Sequence, residues 1–112
     1  MSALVDAYEM VNLAPAITGL PMTVHAMPRG KARHDVRLKV HRVHGSRMVA
    51  SNTAEVGVRP VPHLVENGLK PKDQVRVYQW AALNEQALVD YWEGRINSAE
   101  FLARLVPAGG AP

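Results

Sequence analysis

From Pro71 to Leu105 the chain reads PKDQVRVYQWAALNEQALVDYWEGRINSAEFLARL. At 100° per residue, Val77, Trp80, Ala81, Leu88, Tyr91 and Trp92 fall on one side of a helix, and Gln79, Gln86, Asp90 and Glu93 on the other. Pro71 suits a first helical turn, and Asp73 places negative charge at the positive end of the helix dipole. Gly94 is placed to end the helix in the left-handed conformation. A short second helix then opens on a capping box, Asn97 with Glu100, and on a hydrophobic staple of Ile96 and Phe101. Leu102 and Leu105 are expected to carry its packing, and Pro107 follows its end. Asn84 is the one strongly polar side chain within the apolar stripe of the long helix. Buried without partners, an amide costs about 1–3 kcal/mol, so Asn84 is either a structural clamp or part of a site.

The apolar stripe needs a sheet to cover. Val36, Leu38 and Val40 alternate with Arg37, Lys39 and His41, the cleanest period-two stretch in the chain. Met22, Val24 and Ala26 alternate with Thr23 and His25, and Val56 and Val58 with Glu55, Gly57 and Arg59. His63 to Val65 is a fourth extended piece before Asn67-Gly68 turns the chain. One-sided alternation implies a sheet with one packed and one wet face. The expected fold is therefore α+β: a small antiparallel sheet of three to four strands covered by one long and one short C-terminal helix. On the wet face, Arg37, Lys39 and His41 should stand in a row.

The flanks are expected to add little. Leu4, Val5, Tyr8 and Val11 have helical spacing that Pro15 and Gly19 interrupt, so residues 1–19 read as an N-terminal arm or short helix. Residues 20–106 form the single domain, and residues 107–112 a flexible tail.

At 112 residues, with 47% apolar and 21% charged side chains, the composition is that of an ordinary globular domain. No cysteine is present, which excludes disulfides, thiolate catalysis and cysteine-based zinc sites. No apolar run approaches the ~20 residues needed to span a bilayer. Asp6 and Glu9 interrupt any leader-like pattern, and cytoplasm is the expected location. The net charge of +3 is unevenly spread. Between Arg29 and Arg47 lie seven basic residues and one acid, a local charge of +6 that leaves −3 for the rest. This polarity points to an anionic partner, although lysine and arginine also guard an edge strand against aggregation.

Catalytic signatures are sparse. The five histidines lack the spacing of a helical metal pair, and His41 and His44, three apart on a strand, would face opposite sides. No serine sits in a Gly-x-Ser-x-Gly elbow, and no glycine-rich phosphate loop opens a helix. No cofactor and no metal site are expected. A metal-independent ribonuclease remains open: His25 and His41 would move protons while Arg37 and Lys39 stabilise the phosphorane, provided the first two strands are neighbours.

Trp80-Ala-Ala-Leu83-Asn84, followed by Leu88-Val-Asp90-Tyr91-Trp92-Glu-Gly94-Arg-Ile96 and Leu105, resembles the C-terminal signature of a group of short bacterial proteins of uncharacterised function. Arg33-His34-Asp35-Val36-Arg37 and Val58-Arg59-Pro60 fit the same group, and the resemblance covers roughly residues 20 to 106. More distantly the chain is similar to a domain-of-unknown-function family linked to toxin–antitoxin loci. Members of that family often carry Pro-x-His-x-His in the first hairpin, where Met22 to Arg29 here has only His25. The resemblance implies no catalytic residues. The leading expectation is a small non-enzymatic binding or regulatory protein. It would meet nucleic acid or an acidic protein surface through Arg29, Lys31, Arg33, Arg37, Lys39, His41 and Arg42. The alternatives are a toxin-type ribonuclease and an obligate interaction subunit; no membrane partner is expected, and a homo-oligomer is left open.

Overall fold

Alternating burial builds the sheet. The structure, a computed structural model, describes residues 10–109. Strands β1 (Val11–Leu13), β2 (Val24–Ala26), β3 (Arg37–His41), β4 (Thr53–Gly57) and β5 (His63–Glu66) form one antiparallel sheet in chain order. The register aligns Leu13, Val24, Val40 and Ala54 in one row, and Val11, Ala26, Leu38, Val56 and Leu64 in the next. These rows face the helices α2 (Pro71–Leu83), α3 (Glu85–Trp92) and α4 (Ser98–Arg104), and most of their side chains join one apolar core with Val77, Trp80, Leu88, Tyr91, Trp92 and Phe101. The intervening positions, Asn12, His25, Lys39 and Glu55, share the outer face. The α+β class is as expected.

Several elements differ from the sequence reading. The sheet has five strands because Val11 and Leu13 straddle Asn12 and pair with β2. A three-residue alternation is too short to stand out against helical spacing. The described part of the 1–19 segment is thus no arm: Leu13 is fully buried, and Pro15 starts a one-turn helix, α1 (Pro15–Thr18), instead of ending one. The remainder of the expected N-terminal helix lies outside the described residues. At the other end Ala108, placed in the tail, donates its backbone N–H to the Thr18 carbonyl at 2.6 Å and packs on the core.

The long helix is interrupted at its asparagine. Asn84 takes φ −107° and ψ 16°, which separates α2 from α3. Its Nδ2 donates to the Trp80 carbonyl at 3.0 Å and to the Val106 carbonyl at 2.9 Å, while Oδ1 accepts from the Val106 N–H at 2.8 Å. A side chain that bonds back to the carbonyl four residues earlier competes with the helix ladder and bends it. Asn84 is therefore the clamp of the two alternatives, and it holds the C-terminal segment. Gly94 ends α3 at φ 76°, and the Asn97–Glu100 capping box is fully formed. The packing of α4 rests on Phe101, stacked 4.8 Å from Tyr91, and Leu102 is instead 41% exposed.

Gly57 closes β4 beneath the ring of His63, its register partner on β5. A β-carbon at Gly57 would come too close to the Nε2 and Cε1 of that imidazole. The glycine is required by close approach, not by an unusual backbone angle.

Candidate anion-binding surface and the buried histidine pair

The register of β2 against β3 sets Val24 opposite Val40 and His25 opposite Lys39. His25 and His41 thereby become diagonal neighbours on the outer face, and their Nε2 atoms lie 2.7 Å apart. His25 Nδ1 is 2.7 Å from Asn12 Oδ1 on β1, and the Val49 N–H donates to His41 Nδ1 at 3.3 Å. Every ring nitrogen has a partner. The connection from Arg42 to Asn52 reaches over this part of the face, so His25 is 6% and His41 2% exposed. Burial holds the His25 imidazole below its ordinary titration range, with repulsion from His41 and Lys39 adding to it; burial and then Lys39 do the same for His41. A recess of about 290 Å³ beside the pair is lined by Met10, Asn12, Lys39, Met48 and Thr53.

The expected wet row is thus broken. Lys39 is half-buried, Arg37 is held by Glu55 at 3.0 Å, and His41 is enclosed. Nor are His25 and His41 scattered surface histidines; each satisfies the other's ring. Sequence spacing could not show this, because the covering connection is irregular and has no apolar pattern.

The other expected site residues separate by end of the sheet. Arg29, Lys31 and Arg33 sit on the β2–β3 connection, and Arg42 begins the β3–β4 connection. The five residues of β3 keep the two groups roughly 14 Å apart, at ~3.4 Å per residue. At the first end charge is largely matched. Arg59 makes a bidentate contact with Asp35 at 2.8 and 2.9 Å and reaches Glu93 at 3.2 Å, while Arg29 approaches Glu93 at 3.4 Å. The hydrogen bonds from Arg59 lower the Asp35 carboxyl to about 2. His34 stacks on Trp92 at 5.5 Å. Lys31 and Arg33 remain exposed there without an ion pair among the described residues.

At the second end two cations share a recess, while Arg76, further along α2, lines another with Gly19, Leu20 and Ala108. Arg42 and Lys70 line one recess of about 190 Å³ with Asn52, Leu69 and Asp73. Asp73, 3% exposed in the first turn of α2, accepts from His44 at 2.9 Å and ties the β3–β4 connection to the helix. Gly45 N–H donates to the Pro21 carbonyl at 2.7 Å and secures the same connection on its other side. Arg42, Arg47, Lys70, Lys72 and Arg76 are exposed and make no ion pair among the described residues. Lys70, Lys72 and Arg76 escaped the sequence reading because they lie at the N-cap and on the helix, more than twenty residues beyond the basic run. Their only advance signal was the absence of nearby acids other than Asp73.

Among the described residues, no group of three or more histidine, aspartate or glutamate side chains is placed to hold a metal ion, and no helix is long and apolar enough to cross a membrane. Comparison with protein-family models, with curated proteins and with solved structures finds no match to this chain.

Proposed function

We propose that the protein is a small non-enzymatic binding module for a polyanion, the phosphate backbone of a nucleic acid, with its contact surface at the β3–β4 connection and the start of α2. One observation carries this reading. Of the thirteen lysines and arginines, Arg29, Arg37, Arg59, Arg95 and Arg104 are in ion pairs among the described residues, and five of the other eight lie on these two neighbouring segments. Unpaired cations at one end of a rigid domain attract a counter-charged surface and speed encounter with it. Expected contact residues from the basic run are Arg42 directly, with Lys31 and Arg33 reached only by a partner long enough to extend along the sheet.

The test is the salt dependence of binding to RNA and DNA oligonucleotides. For an Arg42→Ala/Lys70→Ala variant, the slope of log K against log salt should fall by about 1.4 on single strands and about 1.8 on duplex, since each lost phosphate contact removes about 0.7 or 0.9. Binding with an unchanged slope, or none at low salt, overturns the reading. Selective binding of an acidic protein with no affinity for nucleic acid would favour the interaction-subunit alternative.

The ribonuclease alternative draws support from the 2.7 Å contact between His25 and His41. Against it stands the engagement of all four ring nitrogens, because a general acid or base needs a nitrogen free to meet the substrate proton. RNA cleaved by the wild type and left intact by His25→Ala would restore it.

A further inference from the structure

The hydrogen-bond chain through the histidines admits one arrangement of protons. The Val49 N–H can only donate, so His41 Nδ1 is bare and His41 Nε2 carries the hydrogen. That hydrogen is donated to His25 Nε2, which is bare in turn. His25 Nδ1 then carries its own hydrogen and donates it to Asn12 Oδ1. Each ring holds one proton and both are neutral.

A further proton has no place in this chain. On His41 Nδ1 it meets the Val49 N–H head on. On His25 Nε2 it meets the His41 N–H across 2.7 Å. If His41 yields by moving its own proton to Nδ1, the conflict returns to Val49. One bond has to break, and the bond at Val49 is the longest of the three, at 3.3 Å against 2.7 and 2.7 Å. It is also the only one anchored in irregular chain; Asn12, His25 and His41 all sit on paired strands. We infer that the His25–His41 pair is a proton-operated latch: one added proton frees Val49 and opens the Met48–Ser51 part of the β3–β4 connection.

The surroundings set the sense of the latch and its extent. On the outer face Lys39 stands opposite His25 and resists a positive charge there. Glu55, opposite Lys39, has its charge taken up by Arg37, and Glu66 lies beyond it on β5. Asn12 on β1 and Thr53 opposite His41 are neutral. The connection itself carries Arg42, His44 and Arg47. Of these, His44 is held by the buried Asp73 carboxylate at 2.9 Å. The Gly45–Pro21 hydrogen bond contains no titrating group. Acid thus lifts the Met48–Ser51 side while the Gly45–Pro21 bond keeps the other side fastened, so the connection swings instead of detaching.

Amide exchange by NMR on the full chain, with the imidazole signals followed in parallel from pH 7.5 to about 4.5, tests this. Once the pair begins to take up a proton, the protection factor of the Val49 amide should fall about tenfold per pH unit, the signature of opening linked to one proton. Protection at Gly45 and along β3–β4 should hold. In His44→Gln the dependence at Val49 should persist. In Val49→Pro, which removes the opposing N–H, the histidine pair should titrate at higher pH than in the wild type. Val49 protection that stays flat while the rings titrate, a pair that takes up no proton across the range, or an effect lost in His44→Gln each overturns the inference. So does an unchanged titration in Val49→Pro.

Discussion

At the scale of single residues, two buried polar groups show how much chemistry a small core can hold. Asn84 uses both ends of its amide on backbone groups of Trp80 and Val106. Asn84→Leu should destabilise by about 1–3 kcal/mol, because it strands the Val106 N–H and a carbonyl, and urea unfolding measures this. Amides from Val106 to Ala108 should lose protection in the same variant. The histidine pair makes a second prediction. Both rings are held neutral below the 6.5 of the free side chain, so the unfolded chain binds more protons than the folded one as pH falls through that value. Stability is therefore full above pH ~6.5 and declines below it, by up to about 1.4 kcal/mol per pH unit for each histidine. Urea midpoints at about pH 7.5, 6 and 5 check the sign; a midpoint that rises with acid contradicts it. Asn84 was legible in the sequence as the polar interruption of an apolar stripe. The sequence brought His25 and His41 together only on condition that β2 and β3 are neighbours, which they are; their direct contact was not legible, because it depends on a register that the intervening loop leaves open.

At the scale of elements, the helical end was the most legible part, since helix stops and caps are local chemistry. Asn97 accepts from the Glu100 N–H at 2.8 Å and Glu100 returns a bond to the Asn97 N–H at 2.9 Å. Asn97→Ala should cost about 1 kcal/mol in thermal or urea unfolding, in line with other lost caps. The break between α2 and α3 was not legible in advance. There Asn84 bonds to the Val106 carbonyl, twenty-two residues away, and a hydropathy pattern carries no record of so distant a partner. The same holds for β1, whose alternation over three residues gains meaning only beside β2. The exposed face of β3 differs from expectation for a related reason: its cover is an irregular loop whose short apolar run, Met48-Val49-Ala50, has no strand or helix periodicity to announce it.

At the scale of the whole molecule, segments far apart in the chain meet. Ala108 bonds to Thr18, and Gly19, at φ 77°, sits so close that a β-carbon there would lie 3.1 Å from the Ala108 nitrogen. Gly19→Ala combines a left-handed backbone with that contact, so it should cost more than about 1 kcal/mol and loosen the C-terminal segment first, visible as early loss of Ala108 amide protection. Charge is also arranged globally. Paired ions brace one end of the sheet through Arg59, while the other presents unpaired cations. The basic run marked the polarity of the charge, but only the fold added Lys70, Lys72 and Arg76 from the helix.

The glycine under the His63 ring ties two positions together in sequence space. Alanine at 57 collides with the imidazole, whereas alanine at 63 leaves the strand merely uncovered. Gly57→Ala requires the exposed His63 ring to turn aside, so it should cost less in a His63→Ala background. A lineage that lost the histidine would be released from this constraint, while one that kept it would have to move the ring to admit a larger residue at 57.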